Sequence, residues 1–430
     1  MDISPKSVAL IGASHKKGKV GNAIAKNLLK FRNSFFVNPT LKILLGKKCY
    51  SSVLEITFPI DLAVIAVKAD IVPAVLEECG KKKIKEAIII SAGFGEIGNV
   101  KAEQKIISIA KKYSIRILGP NCFGIINPYT QLNSTFASIP VKEGGIAFLS
   151  QSGALCSTVL DIASQQNLGF SFFASVGNMA DLDFSDLIEM LDNDKKTKVI
   201  VAYIEALKPD SGRKFIDAAK KCSKQIIVLK AGISKAGAQT ALTHTGSLAS
   251  SYEIYKSAFR EAGIIEAKSL TNALDKAKFL SSKKIELKNG VLVLSNAGGP
   301  AVLAADYCEE FGISLAKLPE NTIERLNKVL PETWNKSNPI DIIGDADSLR
   351  YKNALAALNF NYDCLICILT PQEMSQPLET ARFLMEFAKK SEKPVIAAFL
   401  GGKRISKASE MLNKNNIPCF SELRRAFKLV

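Results

Sequence analysis

Short apolar runs alternate with amphipathic stretches of helix length from one end of the chain to the other. That alternation leaves few folds open, because strands buried on both faces and joined through helices build parallel sheets. Strands are expected at Val8–Ile11, Phe35–Val37, Leu62–Val67, Ala87–Ser91 and Arg116–Leu118, with helices from Asn22, Ile71 and Lys101. A second series holds Ile146–Leu149, Phe172–Ser175, Val199–Ile204 and Ile226–Leu229, then a helix near Leu270–Leu280. A third holds Val291–Leu294, Cys364–Leu369 and Val395–Phe399. Polar links, Ser138–Gly145 and Ser281–Gly290, separate the series. Each opens alike, with a strand, a turn of small residues and a helix: Gly12-Ala-Ser, Ser150-Gln-Ser-Gly153 and Asn296-Ala-Gly-Gly-Pro300. The expectation is an α/β chain of three consecutive doubly wound domains, residues 1–137, 145–283 and 289–430.

Several function classes fall away early. No apolar stretch is long enough to span a bilayer, and the N-terminus runs into a strand without a basic–apolar–small signal pattern. A cytoplasmic protein with no membrane partner is expected. The chain has only two histidines, His15 and His244, and no metal-ligand spacing, so no metal site is assigned. Cys364 and Cys367 form a C-x-x-C pair, but inside an apolar strand run, which reads as buried thiols in a reducing compartment. The net charge of +16 comes mostly from lysines scattered over helix surfaces, such as Lys81-Lys-Lys83. No RNA motif or zinc finger accompanies it, so no nucleic-acid partner is assigned.

The first turn has the makings of a phosphate cradle. Gly12, Ala13, Ser14, Gly18, Lys19, Val20 and Gly21 run from strand through loop into helix. Glycines let the backbone approach a phosphate, and a helix start supplies unpaired N–H donors. A dinucleotide site would show G-x-G-x-x-G and a carboxylate after the second strand. Here Val37, Asn38, Pro39 and Thr40 stand there instead, which argues against a nicotinamide cofactor. A nucleotide with a phosphate on its ribose fits better, since Lys16, Lys17, Lys19 and Lys42 lie near; coenzyme A is such a ligand. Further loops close the same sheet edge: Ala66 and Val67; Ser91, Ala92, Gly93 and Phe94; and Pro120, Asn121 and Cys122. A tight turn with incidental lysines is the competing reading.

The second turn, Ser150, Gln151, Ser152 and Gly153, opens a helix with hydroxyls and N–H groups suited to a phosphate. A plain serine N-cap would look similar. Thr243-His-Thr-Gly-Ser247 places His244 among hydroxyl residues, in an expected loop before the helix Tyr252–Glu261. Gly246 and Ser247 can donate to phosphate oxygens and leave the imidazole free to attack. Such a histidine needs a carboxylate to fix its tautomer. Glu205, ending the strand Val199–Ile204, is the candidate.

These motifs, in this order, resemble the nucleoside-diphosphate-forming acyl-CoA synthetases, relatives of succinyl-CoA synthetase, over nearly the whole length. The residues that carry the resemblance are Ser7–Ser14 with Gly18–Gly21, Val37–Pro39, Ala92–Phe94, Leu118–Cys122, Leu149–Ala154, Ser175–Asn178, Tyr203–Glu205, Thr243–Ala249, Asn296–Pro300 and Ser337–Asp345. Thr40 and Lys68 depart from the family's usual residues. The resemblance implies a Rossmann-like CoA-binding domain followed by two flavodoxin-like domains. It implies that acyl-CoA, ADP and phosphate give acid, CoA and ATP through an acyl phosphate and phosphorylated His244, with Glu205 supporting. It also implies Mg2+ with ADP or ATP, bound mainly on a separate ATP-grasp β chain in an α2β2 assembly. The chief rival is a non-catalytic CoA-binding regulator, against which the joint presence of His244 and Glu205 speaks. Candidate residues for the acyl pocket lie in loops such as Gly177–Asp181.

Overall fold

The apolar runs become strands because helices cover both faces of each sheet. The computed structural model describes residues 2–208, 211–245, 252–282, 287–391 and 393–430, and the chain divides into two units, Met1–Ala277 and Lys278–Val430. The first unit holds two sheets. Its first sheet contains β1 (Val8–Ile11), β2 (Ser34–Val37), β3 (Ile43–Leu44), β4 (Lys47–Tyr50), β5 (Leu62–Ile65), β6 (Glu86–Ile89) and β7 (Arg116–Leu118). The order is β3-β4-β2-β1-β5-β6-β7, parallel throughout except for the β3–β4 hairpin. Helices α1 (Val20–Leu28), α2 (Val72–Lys81) and α3 (Val100–Tyr113) cover it.

The second sheet contains β8 (Ile125–Asn127), β9 (Leu132–Asn133), β10 (Lys142–Ser150), β11 (Gly169–Ser175), β12 (Val199–Ile204), β13 (Gln225–Lys230) and β14 (Ile265–Glu266). Its order is β14-β13-β12-β10-β11-β8-β9. Helices α4 (Gly153–Gln166), α5 (Phe184–Asp192), α6 (Gly212–Lys221), α7 (Lys235–Thr245), α8 (Tyr252–Glu261) and α9 (Leu270–Ser282) follow its strands. Strands β8 and β9 lie in the stretch expected for the first domain, yet β8 pairs antiparallel with β11. One apolar core runs from Leu10, Ile24 and Phe36 to Leu149, Phe172 and Ile204 and ties the two sheets together.

The second unit has one parallel sheet of β15 (Val291–Ser295), β16 (Ile340–Asp341), β17 (Cys364–Leu369), β18 (Val395–Phe399) and β19 (Cys419–Phe420), in the order β16-β15-β17-β18-β19. Around it lie α10 (Gly298–Glu310), α11 (Glu320–Asn327), α12 (Ser348–Ala357), α13 (Pro377–Ser391), α14 (Ser406–Lys414) and α15 (Leu423–Phe427). Cys364 and Cys367 are both fully buried in β17, where burial pushes their thiols up. The fold is thus α/β with three parallel-rich sheets.

Each sheet reverses its strand order beside its first long strand, at β1/β5, β10/β12 and β15/β17. Such a reversal parts the following loops and opens a crevice at the strands' C-terminal ends. All three small-residue turns sit at these crevices.

Candidate functional site

At the first crevice the glycines let backbone meet backbone. Gly12 has φ +95°, and a Cβ there would stand 2.4 Å from the Ala66 carbonyl oxygen. A Cβ on Gly21 would stand 2.0 Å from the Gly12 carbonyl oxygen, so the start of α1 lies directly on the turn. Asn38 closes the neighbouring loop: its Nδ2 donates to the Ala13 carbonyl at 2.8 Å. Its Oδ1 accepts from the Thr40 N–H, also at 2.8 Å. Ser91 Oγ donates to the Val67 carbonyl at 2.6 Å, and the Asn121 N–H to the Ser91 carbonyl at 2.9 Å. Ala13, Gly21, Val37, Phe94 and Pro120 are buried and shape these loops from within, whereas Pro39 is exposed.

At the second crevice the hydroxyls turn inward. The buried Ser150 Oγ accepts the Ser152 N–H at 3.0 Å and donates to the Ser152 carbonyl at 2.9 Å. Ser152 Oγ caps α4 by accepting the Leu155 N–H at 3.2 Å. Gln151 is likewise committed. Its Nε2 donates to the Ala206 carbonyl at 2.8 Å, and its Oε1 accepts the N–H groups of Glu205 and Ala206. The Ser150 hydroxyl therefore serves as a fastener, and the Ser152 O–H and the first-turn N–H groups of α4 are what remains to meet an anion. Glu205 follows β12, is 8% exposed, and its carboxylate lies near the Tyr203 hydroxyl. Burial first, and that carboxylate second, push Tyr203 up to about 12.

A cleft of about 510 Å³ joins the two crevices. Ala66, Val67, Ser91, Ala92, Asn121 and Cys122 line one side and Gln151, Ser152 and Gly153 the other, with Val20, Phe123 and Phe136 between. Burial pushes the Cys122 thiol up to about 12, which keeps it protonated and inert as a nucleophile. A neighbouring groove of about 440 Å³ takes in Gly18, Lys19, Val20 and Lys26. The close-approach glycines and this joined cleft suit an extended ligand whose phosphates meet backbone at one end and whose other end reaches α4.

One expectation needs correction. His244 is not in a loop: α7 runs through it, because Ala236, Ala238, Ala241 and Leu242 are strong helix formers. Gly246 and Ser247 lie outside the described residues. The loop Gly177–Asp181 does not line the cleft but laces the two sheets together. The Asn178 N–H donates to the Pro120 carbonyl at 2.9 Å, and Asn178 Nδ2 to Glu96 and Glu103 at 2.6 and 2.8 Å. Asp181 pairs with Arg116 at 2.9 Å.

Lys230, the last residue of β13, was missed. It is 6% exposed, and its Nζ donates to the Glu205 carbonyl at 2.7 Å and to the Ala231 carbonyl. A lysine closing an apolar strand run was the available signal. Phe136, 39% exposed beside a 4.5 Å edge-on contact with Phe123, was missed too, since nothing in its sequence neighbours marks a cleft wall. Among the described residues, no group of three or more His, Cys, Asp or Glu side chains could hold a metal ion.

Comparison with known proteins bears on the whole length. Residues 6–128 match the family model for a CoA binding domain, residues 143–280 that for a succinyl-CoA ligase like flavodoxin domain, and residues 291–425 that for a ligase-CoA domain. The chain is 42% identical over 99% of its length to an ADP-forming acetate–CoA ligase I of Archaeoglobus fulgidus, of which it spans only 62%. It is 41% identical to the alpha subunit of the ADP-forming acetate–CoA ligase II of Pyrococcus furiosus, covering 97% of this chain and 93% of that subunit. Among solved structures, the dinucleotide forming acetyl-coenzyme A synthetase 1 of Ca. Korarchaeum cryptofilum, in complex with phosphate and ADP, matches with a TM-score of 0.95. That match is 38% identical and covers 99% of this chain and 94% of that one.

Proposed function

Because the chain belongs to the ADP-forming acetate–CoA ligase family, we propose that it is the CoA-binding, phosphohistidine-bearing part of such an enzyme. The observation that carries this reading is the single cleft shared by the glycine-built loops of the first sheet and the start of α4. Coenzyme A lies along Gly12–Ser14, Gly18–Gly21, Val37–Pro39, Ala66–Val67, Ser91–Phe94 and Pro120–Cys122, and its thioester end reaches Gly153. A phosphate held at the Ser152–Gly153 helix start attacks the thioester carbonyl carbon. The C–S bond breaks, the thiolate takes a proton from the incoming phosphate, and an acyl phosphate remains. His244 then attacks phosphorus, the P–O bond to the acyl group breaks, and the carboxylate leaves. Glu205 orients the imidazole and offsets its charge. Gly246 and Ser247 belong to the same proposed site.

A separate ATP-grasp β chain, in an α2β2 assembly, completes the reaction by presenting ADP, whose β-phosphate oxygen displaces histidine to form ATP. Mg2+ accompanies the nucleotide there and neutralises phosphate charge. The nine cysteines, all free, support a reducing, cytoplasmic setting. Among the described residues no helix is long and apolar enough to cross a membrane.

The test is labelled phosphate offered with acetyl-CoA and with longer, branched and aromatic acyl-CoAs, with and without the ATP-grasp chain. Acid-labile, base-stable label that depends on acyl-CoA and is absent from His244→Ala is the expected result. No label from any of them overturns the reading.

A further inference from the structure

We infer that Lys230 is a positioning residue for Glu205, fastening the strand end that bears the carboxylate and setting a positive charge beside it while His244 carries the phosphoryl group. The inference rests on the role proposed above for Glu205 and His244. In the parallel register Ile204 stands opposite Lys230, so the side chain rises beside the first residue after β12. Its Nζ donates to the Glu205 carbonyl at 2.7 Å and lies 4.5 Å from the ring centroid of Tyr255 on α8.

Tying down this segment does not by itself call for a cation. The Tyr255 hydroxyl already accepts the Leu207 N–H at 3.0 Å, and Gln151 already holds Glu205 and Ala206. A buried ammonium is costly unless paired, so its presence asks for a charge-bearing neighbour. The titratable groups that face it among the described residues are few. Tyr255 packs against it from α8, and Glu205 meets it from the end of β12, with Tyr203 near that carboxylate. Burial raises both tyrosines and keeps them neutral, which leaves Glu205 as the facing charge. Burial lowers Lys230 to about 8, with Glu205 opposing the fall. The ammonium is therefore charged at neutral pH and discharges in the mildly alkaline range. A carboxylate steadied from behind in this way keeps its aim when the nearby phosphoryl group brings negative charge.

The experiment is the initial rate of His244 labelling from labelled phosphate and acyl-CoA across the neutral-to-alkaline range, with the ATP-grasp chain present if the wild type needs it. Wild type, Lys230→Gln and Lys230→Arg are compared, and CoA binding is measured in each to establish that the first crevice is intact. The wild type is expected to lose rate as pH rises through about 8. Lys230→Gln is expected to label roughly tenfold or more slowly at neutral pH, the scale of one charge-assisted hydrogen bond, and to show no fall near that pH. Lys230→Arg, which stays charged, is expected to keep most of the rate and move the fall to higher pH. A wild type without an alkaline fall, a Lys230→Gln chain with wild-type rate and profile, or an unmoved fall in Lys230→Arg overturns the inference and leaves the phosphohistidine reading standing. Absence of label from the wild type with every acyl-CoA removes both.

Discussion

The strand–turn–helix junctions at Ser150–Gly153 and Ser295–Gly298 are fastened in the same way but bear different chemistry. Ser295 Oγ accepts the Ala297 N–H at 3.1 Å and donates to its carbonyl at 2.9 Å, repeating the Ser150–Ser152 clasp. Asn296, like Gln151, spends its amide on the end of the neighbouring strand. It donates to the Thr370 carbonyl at 3.0 Å and accepts the Thr370 N–H at 2.8 Å. Ser150 stands opposite Tyr203 and Ser295 opposite Ile368, so Glu205 and Thr370 occupy the same position two residues further on. There the likeness ends. Glu205 is a carboxylate backed by Lys230, whereas the Thr370 hydroxyl is absorbed by Asn296 Oδ1 at 3.1 Å. The fold places a helix start at each strand-order reversal; the carboxylate to which the proposed reaction gives a role comes from one register position and the residue chosen for it.

Making the junctions alike is the most direct way to break the comparison. Glu205→Thr is expected to slow His244 labelling by roughly 10²–10³-fold, the usual weight of a positioned acid–base partner. The reciprocal Thr370→Glu in a His244→Ala chain is expected to take no label. Any label there would mean that the third sheet's junction can perform the chemistry after all. The amide ties should differ less. Asn296→Ala removes bonds to the N–H, carbonyl and hydroxyl of Thr370, and is expected to cost about 2–3 kcal/mol in urea unfolding of its unit. Gln151→Ala is expected to cost about 1–2 kcal/mol and, unlike the other, to slow labelling. Ser150→Ala and Ser295→Ala should each cost about 1 kcal/mol. Clearly unequal losses would show that the two clasps only look alike.

The smallest effect tests the cation that only the first junction has. Folded Lys230 titrates near 8, against an ordinary 10.5 when unfolded. The folded chain gives up this proton first, so its desolvation penalty is carried below about pH 8 and relieved as pH rises toward 10.5. Relative to Lys230→Met, the wild type should gain about 1 kcal/mol of stability between neutral and strongly alkaline pH, after allowance for solvent screening. A constant difference would mean that the lysine does not discharge in that range.

Legibility in the sequence followed the length of the apolar run. Strands β1, β12 and β17 fall on the expected residues, because each is an unbroken apolar segment with a small or polar residue at its end. Strands β3 and β4 were invisible. Ile43–Leu44 and Lys47–Tyr50 have no run to read, and the Leu45–Gly46 turn between them uses positive φ at a leucine, which carries no turn signature. The helix through His244 is obscured in the sequence because Thr243, His244 and Thr245 are weak helix formers, while the alanines that support it lie earlier. At the site, the turn Ser150–Gly153 was legible as a helix start, since a serine before a glycine and an apolar stretch is a local pattern. The direction of the Gln151 amide was not, because its partners are more than fifty residues away along the chain.

The pairing of β8 with β11 has a consequence for how such chains can be recombined. Ile125 and Ile126 stand opposite Ala174 and Phe173, so the place where the sequence changes character is not the place where the packing changes hands. A CoA-binding module exchanged at the polar link after Ala137 would carry the native β8 and β9 away with it. Unless the incoming module brought matching strands, β11 would become an open edge, a template for pairing with another chain. Successful crossovers, in evolution or in the laboratory, should therefore fall before Gly124 or transplant both sheets as one cassette.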